Sequence, residues 1–244
     1  MDPVAFSVFG LDVRWYGIVY VLGFLFGGWL AAKLGKERGI NKEDVYDFLV
    51  YLVIAVIVGA RIAHVFGALD YYSSRLIEVF YVWNGGLAFH GGLIGAVLVG
   101  LWFCKKRNIK FYDMADIFCV PLALGLAFGR IANFINGELY GKISDVPWAV
   151  EFEGVDGKRH PSQIYESLKN FFIFIVLWNL YKIKKLPSGF IFWSFIFMYS
   201  VLRFFVEFYR DWETAFIGLT WPQLVSVPLA AVSFFILYRL YRKI

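Results

Sequence analysis

Long apolar runs separated by short polar segments dominate this chain. Seven runs are long enough to cross roughly 30 Å of hydrocarbon as helices, and they cover residues 16–32, 48–66, 87–104, 117–136, 164–181, 190–208 and 221–238. The pattern predicts an all-α polytopic membrane protein with seven transmembrane helices, in a single integral membrane domain over residues 1–244. A small extracytoplasmic segment, residues 142–161, is expected between the fourth and fifth helices.

The composition agrees with this interpretation. Apolar residues make up 60% of the chain and aromatic residues 21%, and the mean hydropathy is +0.63, all well outside the range of soluble proteins. Residues 1–13 contain Asp2 and Asp12 and lack both a basic start and a small-residue cleavage site. We therefore expect the first run to remain in the membrane as an anchor.

The net charge of +5 would suggest a nucleic-acid partner in a soluble protein, but its distribution indicates topology instead. Cations cluster after the first, third, fifth and seventh runs: Lys33, Lys36, Arg38, Lys42, Lys105, Lys106, Arg107, Lys110, Lys182, Lys184, Lys185, Arg239, Arg242 and Lys243. The opposite side has only Arg14, Arg75, Lys142, Lys158, Arg159 and Arg210. The bias predicts an amino terminus outside, a carboxyl terminus in the cytoplasm, and no nucleic-acid surface.

Eleven polar or ionisable residues in or beside the apolar runs fall in the predicted outer half of the membrane. They begin inward-going runs or end outward-going ones, and they are Tyr16, Arg61, His64, His90, Arg130, Asn133, Asn136, Gln163, Glu166, Arg203 and Glu207. This one-sided pattern favours a single polar cavity that opens toward the outer leaflet. A transporter would place polar groups nearer the midplane in repeated halves, and a scaffold would spread them over both depths. Neither pattern is visible.

The most informative stretch is GRIANFINGELYG, residues 129–141. On a helix, the three- and four-residue spacing of Arg130, Asn133 and Gly137 puts them on one face, with Glu138 beside it. Such polar groups in an apolar run are costly unless they serve a function. The stretch resembles the signature of the prolipoprotein diacylglyceryl transferases, bacterial enzymes that attach lipid to the cysteine of lipoprotein precursors. Ala132 stands where that signature allows Gly or Ala.

The resemblance extends in separate motifs from about residue 15 to residue 210. It implies an enzyme of the bacterial cytoplasmic membrane with its active site toward the outer leaflet. The expected substrates are phosphatidylglycerol and the lipobox cysteine in the signal peptide of a secreted prolipoprotein. Membrane lipids are the other expected partners. The expected products are a thioether-linked diacylglyceryl group and glycerol phosphate. Neither a cofactor nor a metal is implied.

His90 lies between two pairs of glycines in the segment GGLAFHGG, residues 85–92, at a predicted helix start. The glycines allow close backbone approach, and helix-start N–H groups favour an anion. Tight helix packing around a hydrogen-bonded histidine is the alternative interpretation. An imidazole with an ordinary pKa of about 6.5 is a suitable base for a thiol of about 8.5, and the resemblance places the family's candidate catalytic histidine here. Glu138 and Glu207 remain alternative bases.

Arg130 and Arg203 are expected to hold the lipid phosphate, because a guanidinium matches phosphate geometry with a two-pronged fork. Glu207, four residues after Arg203, is expected to position it, and a purely intrahelical ion pair is the alternative. These residues and His90 form the predicted catalytic set. The predicted substrate-binding set, which the resemblance supports, is Tyr16, Asn133, Asn136, Glu138, Gly141, His160 and Glu166.

The outer segment, residues 142–161, shows strand-like alternation followed by a glycine turn, which predicts a short hairpin. The octet RHPSQIYE, residues 159–166, is similar to a second family motif and predicts a helix start at Pro161 or Ser162. His160 is either a binding residue or a simple surface residue, and Glu166 is expected to pair with an arginine. Arg61 and His64 share one helical face and are predicted to support the site, with carboxylate pairing elsewhere as the alternative.

Overall fold

The computed structural model describes residues 4–8, 11–183 and 186–242, and the side chains of residues 4, 7, 8, 11–16 and 20 lie outside that description. The helices of the described part are α1 (Trp15–Glu37), α2 (Lys42–Gly67), α3 (Leu69–Tyr72), α4 (Phe89–Arg107), α5 (Phe111–Ile135), α6 (Ser162–Tyr181), α7 (Phe190–Val206) and α8 (Trp221–Tyr241). Short 3-10 helices cover Leu76–Phe80, Val82–Asn84 and Glu207–Tyr209.

A helix lies over each of the seven predicted apolar runs. Within the described residues, α1, α2, α5, α7 and α8 are long and apolar enough to cross a membrane. Helix α4 ends in three basic residues, and α6 contains Glu166 and Lys169, so both are less apolar. The described part of the chain is therefore mostly helical with five candidate membrane-spanning helices, as expected of an all-α polytopic membrane protein. The count of seven spans stays a prediction.

Two short hairpins interrupt the helical pattern. Strand β1 (Val4–Val8) pairs antiparallel with β2 (Leu11–Arg14) directly before α1, a hairpin that was not predicted from the sequence. Strand β3 (Val150–Glu151) pairs antiparallel with β4 (Lys158–Arg159). The turn between β3 and β4 uses Gly154 and Gly157, whose φ angles of 72° and 73° suit glycine. The hairpin predicted within residues 142–161 is confirmed, and its side of the membrane stays a prediction.

The chain divides into two compact units. The first unit comprises Met1–Ala31 and Ala115–Ile244, and the second comprises Ala32–Met114. In the second unit, α2 and α4 cross at glycines. A Cβ added to Gly91 would lie 2.2 Å from the carbonyl oxygen of Gly59, and one added to Gly95 would lie 2.3 Å from that of Ala55. Only glycine allows the two backbones to approach this closely.

In the first unit, α7 packs against both α6 and α8. The start of α7 is fixed by Asp116 of α5, whose fully buried carboxylate accepts hydrogen bonds from the backbone N–H groups of Gly189 (2.9 Å) and Phe192 (2.8 Å). A carboxylate at a helix start satisfies N–H groups that have no partner within the helix. Ser167 of α6 donates to the Ala127 carbonyl of α5 at 2.9 Å. These contacts hold the first turns of α5 against the start of α7, and the second half of α5 against the start of α6.

A buried cation-rich cluster as the candidate active site

Glu166, near the start of α6, is fully buried and contacts three cations in the first unit. Lys169, one turn later, donates from Nζ to Oε2 at 2.7 Å, and Arg203 near the end of α7 donates to Oε1. Nε of Arg130 on α5 lies 3.9 Å from Oε2. A carboxylate removed from water stays charged only with such partners. The prediction that Glu166 pairs with an arginine is confirmed.

Glu207 holds the other side of Arg203. Its Oε2 lies 2.6 Å from Nη2 of Arg203, which confirms the predicted contact between these residues one turn apart. Thr220, the N-cap of α8, donates from its hydroxyl to Oε1 at 3.1 Å. Arg203 therefore bridges Glu166 of α6 and Glu207, so it belongs to more than an intrahelical pair. The role of either residue in a reaction stays a prediction.

Arg210 lies under the same carboxylate. Its side chain is 2% exposed, and Nε lies 3.8 Å from Oε2 of Glu207, too far for a hydrogen bond. Among the described residues, neither Nε nor Nη1 of Arg210 has a hydrogen-bond partner. Burial, reinforced by the positive charges of Arg203 and Arg130, lowers the pKa of Arg210 to about 10. A guanidinium buried with unpaired donors is costly unless a further acceptor binds beside it.

We define the cation-rich cluster as the six residues joined by these contacts: Arg130, Lys169, Arg203, Arg210, Glu166 and Glu207. All N–O separations that define it are 4.0 Å or less, and four cations face two carboxylates. The cluster therefore carries a formal charge of +2. An excess of buried positive charge is an electrostatic site for an anion.

Arg130 is the most loosely held member of the cluster. Its side chain is 21% exposed, and within the described residues its only ion pair is the 3.9 Å contact with Glu166. Lys169 and Arg203 occupy the two oxygens of that carboxylate at hydrogen-bonding distance. The five N–H donors of Arg130 are consequently directed at no close carboxylate, which leaves the guanidinium free to hold an incoming anion.

The segment after Arg130 departs from the predicted helix. Helix α5 ends at Ile135, and Gly137 has a φ of 70°, so Gly137 does not share a helical face with Arg130 and Asn133 as predicted. The chain turns there because glycine adopts this conformation without strain. The turn brings Glu138 back toward α5, where its Oε1 accepts hydrogen bonds from the side chains of Asn133 (2.7 Å) and Asn136 (3.3 Å).

Gly141 allows two backbone segments to close over the end of α7. A Cβ there would lie 2.3 Å from the carbonyl oxygen of Tyr209 and 2.8 Å from Cβ of His160. Residue 141 forms an isolated antiparallel bridge with Arg210, which holds the backbone of Arg210 against the end of the 129–141 segment. Gly141 is thus required for close packing around the cluster. Its predicted contact with substrate is not tested by this geometry.

His160 lies in a small aromatic group that includes Tyr209, the residue before Arg210. Its Nδ1 is 3.0 Å from the hydroxyl of Tyr165, which also accepts a hydrogen bond from Trp148 Nε1 at 2.7 Å. The ring of Tyr209 meets His160 edge-on at 5.2 Å. The residue is partly buried and hydrogen-bonded, which disfavours the interpretation of His160 as a simple surface residue.

Arg61 and His64 lie in the second unit and contact one loop. Arg61 donates to the backbone carbonyls of Glu78, Val79 (2.9 Å), Gly85 (2.8 Å) and Gly86 (3.2 Å). A Cβ on Gly86 would lie 2.6 Å from Nε2 of His64. The shared face is confirmed. Within the described part of the chain, Arg61 uses carbonyl groups and has no carboxylate partner.

His90 also belongs to the second unit. It stands in the first turn of α4, which confirms the predicted helix start, and its exposed ring contacts that of Phe89 edge-on at 5.7 Å. Tyr16 lies at the start of α1, and its side chain falls outside the described residues.

Two members of the cluster were missed from the sequence. Lys169 follows Glu166 by three residues inside an apolar run, and a charge at such a position was a usable signal. Arg210 was counted only as a cation outside the membrane, because nothing in its neighbourhood along the chain indicates burial.

Comparison with known proteins gives one consistent result. The family model described as prolipoprotein diacylglyceryl transferase matches residues 3–239. Three similar proteins are named phosphatidylglycerol–prolipoprotein diacylglyceryl transferase. The protein of Finegoldia magna is 45% identical over 94% of this chain and 92% of its own length. Those of Geobacter sulfurreducens and Aeromonas salmonicida are 41% and 39% identical, over 94% and 100% of this chain and 91% of their own lengths.

Proposed function

Because the chain belongs to the prolipoprotein diacylglyceryl transferase family, we propose that it transfers the diacylglyceryl group of phosphatidylglycerol to the lipobox cysteine of secreted prolipoproteins. This is the first step of bacterial lipoprotein modification. The observation that carries the proposal is the cation-rich cluster, in which Arg130 is partly exposed and, among the described residues, forms an ion pair only with Glu166, at 3.9 Å. Such a group suits the phosphate of a lipid headgroup.

The proposed reaction is a displacement at carbon. A base removes the thiol proton, and the sulfur forms a bond to the carbon of the diacylated glycerol that carries the phosphate ester. The carbon–oxygen bond breaks, and its electron pair goes to the phosphate oxygen, so that glycerol phosphate leaves. Only interactions that strengthen as this charge develops accelerate the step. Arg130 and Arg203 are proposed to supply them.

His90 is the proposed base. Both alternative carboxylates are already engaged: Glu207 is buried against Arg203 and Thr220, and Glu138 accepts from Asn133 and Asn136. A carboxylate oxygen that already accepts hydrogen bonds has less capacity to accept a thiol proton. His90 is exposed at a helix start with no such hydrogen bonds among the described residues.

The remaining predicted residues are proposed to shape the site. Glu207 positions Arg203 through the 2.6 Å ion pair, and Glu166 fixes the opposite face of the same guanidinium. Lipid binding is assigned to Tyr16, Asn133, Asn136, Glu138, Gly141 and His160. Support in the second unit is assigned to Arg61 and His64, which hold the loop around Gly86. The reaction as written uses neither a cofactor nor a metal.

We further propose seven membrane spans in a bacterial cytoplasmic membrane. The amino terminus would lie outside and the carboxyl terminus in the cytoplasm, with the cluster toward the outer leaflet. The basic segments after alternate apolar runs support this orientation. Residues 142–161, which contain the β3–β4 hairpin, are proposed as a small extracytoplasmic insertion.

The test is direct transfer with purified full-length protein in detergent, phosphatidylglycerol, and a synthetic lipobox peptide, followed by mass spectrometry. We expect the peptide to gain one diacylglyceryl mass on its cysteine while glycerol phosphate is released. Arg130→Ala should abolish both. Arg239→Ala, an exposed arginine stacked on Phe235 at 4.4 Å in the last turn of α8, is the matched control and should retain them.

Folded wild-type protein that yields no adduct with any of several anionic lipids would exclude the transferase reaction. Lipid flux in liposomes would then test a transporter.

A further inference from the structure

The charges predicted from sequence balance, but those of the whole cluster do not. Arg130 and Arg203 would offset Glu166 and Glu207. Lys169 and Arg210 then add two positive charges, both on side chains that are at most 3% exposed. Buried cations without counter-charges are unfavourable. The cluster as a whole therefore has a net charge of about +2, which an anion with about two negative charges would neutralise.

The unpaired donors identify where this charge belongs. Nε and Nη1 of Arg210 are buried and have no hydrogen-bond partner among the described residues. Arg203, whose guanidinium contacts both carboxylates, lies next to Arg210 on the same carboxylate, Glu207. Arg130 contributes the more exposed guanidinium. An acceptor bound among these arginines would satisfy donors that the folded chain leaves open.

We propose that the cluster preferentially binds a phosphate monoester dianion, and that Lys169 and Arg210 set this preference. The inference rests on the proposed function, in which the lipid phosphate is a singly charged diester. When sulfur displaces oxygen from carbon, the thiolate charge passes to the leaving phosphate, which becomes a monoester with a charge close to −2 at neutral pH. The charge on the phosphate thus rises from about one to about two units during the reaction, and the cluster matches the second value.

Two consequences follow for the proposed reaction. The cluster stabilises the departing group more than the bound lipid, which is the condition for acceleration. It also retains the product, so glycerol phosphate should inhibit transfer and its release should limit turnover when it accumulates.

Titration calorimetry with the purified full-length protein in detergent tests the preference, with no lipid or peptide present. The probes are glycerol phosphate and its methyl phosphodiester, which resemble each other in shape and differ by one negative charge. We expect glycerol phosphate to bind at least about tenfold more tightly than the diester. One additional negative charge close to several partly buried cations strengthens binding by at least that factor. Equal binding of the two probes, or binding of neither, would overturn the inference.

Lys169→Met removes one positive charge and should reduce the preference for the monoester about tenfold, while Lys169→Arg should preserve it. Lys182→Met at the end of α6 is the matched control, because Lys182 lies over Trp178, outside the cluster. An unchanged preference in Lys169→Met would refute the assigned role of Lys169. If that variant does not fold, the comparison of the two probes on wild-type protein still decides the main point.

Parallel transfer assays separate the two proposals. Diacylglyceryl transfer without a monoester preference would overturn this inference and leave the proposed function intact. A monoester preference in folded protein that transfers no lipid would support the anion site and overturn the proposed reaction.

Discussion

Each of the two units contains a buried arginine, but the two side chains differ in their hydrogen bonds. Arg61 in the second unit is 6% exposed and gives its donors to four backbone carbonyls of one loop. Arg210 in the first unit is 2% exposed and keeps two nitrogen atoms without acceptors among the described residues. Both lie near helix ends, so burial and position along a helix do not distinguish them.

The two arginines differ in how many of their N–H donors have an acceptor. A guanidinium that donates four hydrogen bonds to carbonyl oxygens, as Arg61 does, has little capacity left for a ligand, and its removal leaves those carbonyls without a donor. A guanidinium among excess positive charge with open donors destabilises the unbound fold and gains most from an anion. We therefore interpret Arg61 as a structural clamp on residues 78–86, and the arginines of the cluster as the binding surface.

A matched pair of substitutions tests this contrast with the largest expected effect. Arg130→Gln should reduce diacylglyceryl transfer by about a thousandfold, because one donor to a developing charge contributes about 10²–10³ in rate and Arg130 offers two. Its thermal stability should change little, since the residue has only a 3.9 Å ion pair in the described structure. Arg61→Gln should instead lower the free energy of unfolding by about 3 kcal/mol through its unsatisfied carbonyls.

The measurements are transfer rate per folded molecule and reversible unfolding in mixed detergent micelles. A stable but inactive Arg61→Gln protein, or an unfolded Arg130→Gln protein, would reverse the assignment of the two regions.

A second prediction concerns the carboxylate that organises the cluster. Glu166→Gln should destabilise the protein by about 3 kcal/mol, because it leaves Lys169 and Arg203 buried without their shared counter-charge. The double variant Glu166→Gln/Lys169→Met removes one of those cations and should recover part of the loss. A double-mutant cycle of unfolding free energies measures the coupling. Additive effects would mean that the 2.7 Å contact contributes nothing to folding.

Sequence reasoning recovered what is encoded locally and missed what depends on distant folding. The helix over each apolar run, the start of α6 at Ser162 and the contact between Arg203 and Glu207 all follow from spacing within one segment. The burial of Arg210 does not, because it depends on the bridge to Gly141, 69 residues earlier by their sequence numbers. Gly137 was also mispredicted from its spacing, which suited a continuous helix. In the structure α5 ends at Ile135, and Gly137 has a positive φ.

Lys169 was missed for a different reason. It is a visible charge in an apolar run, yet no motif contains it. Its contribution to the net charge of the cluster is evident only when the charges of four segments are combined. A resemblance transfers the residues of a family motif, so a charge outside every motif must be found by its burial and its partners.

The smallest predicted effect sharpens the picture of the second unit as a tightly packed scaffold. Gly91→Ala would place a methyl group 2.2 Å from the carbonyl oxygen of Gly59 and 2.4 Å from Cβ of Ala63, so α2 and α4 must separate to admit it. We expect a loss of about 2 kcal/mol in unfolding free energy, typical of overpacking.

Gly125→Ala in α5 is the matched control, because no atom of the described structure lies within 4 Å of its added methyl group. It should be neutral, or stabilising by up to about 1 kcal/mol, since alanine favours a helix over glycine. Equal effects at the two positions would contradict close packing of α2 on α4. If Gly91→Ala also keeps transfer activity per folded molecule, the contrast drawn from Arg61 extends to the α2–α4 interface: both hold the second unit together, and neither supplies the charge that binds the phosphate.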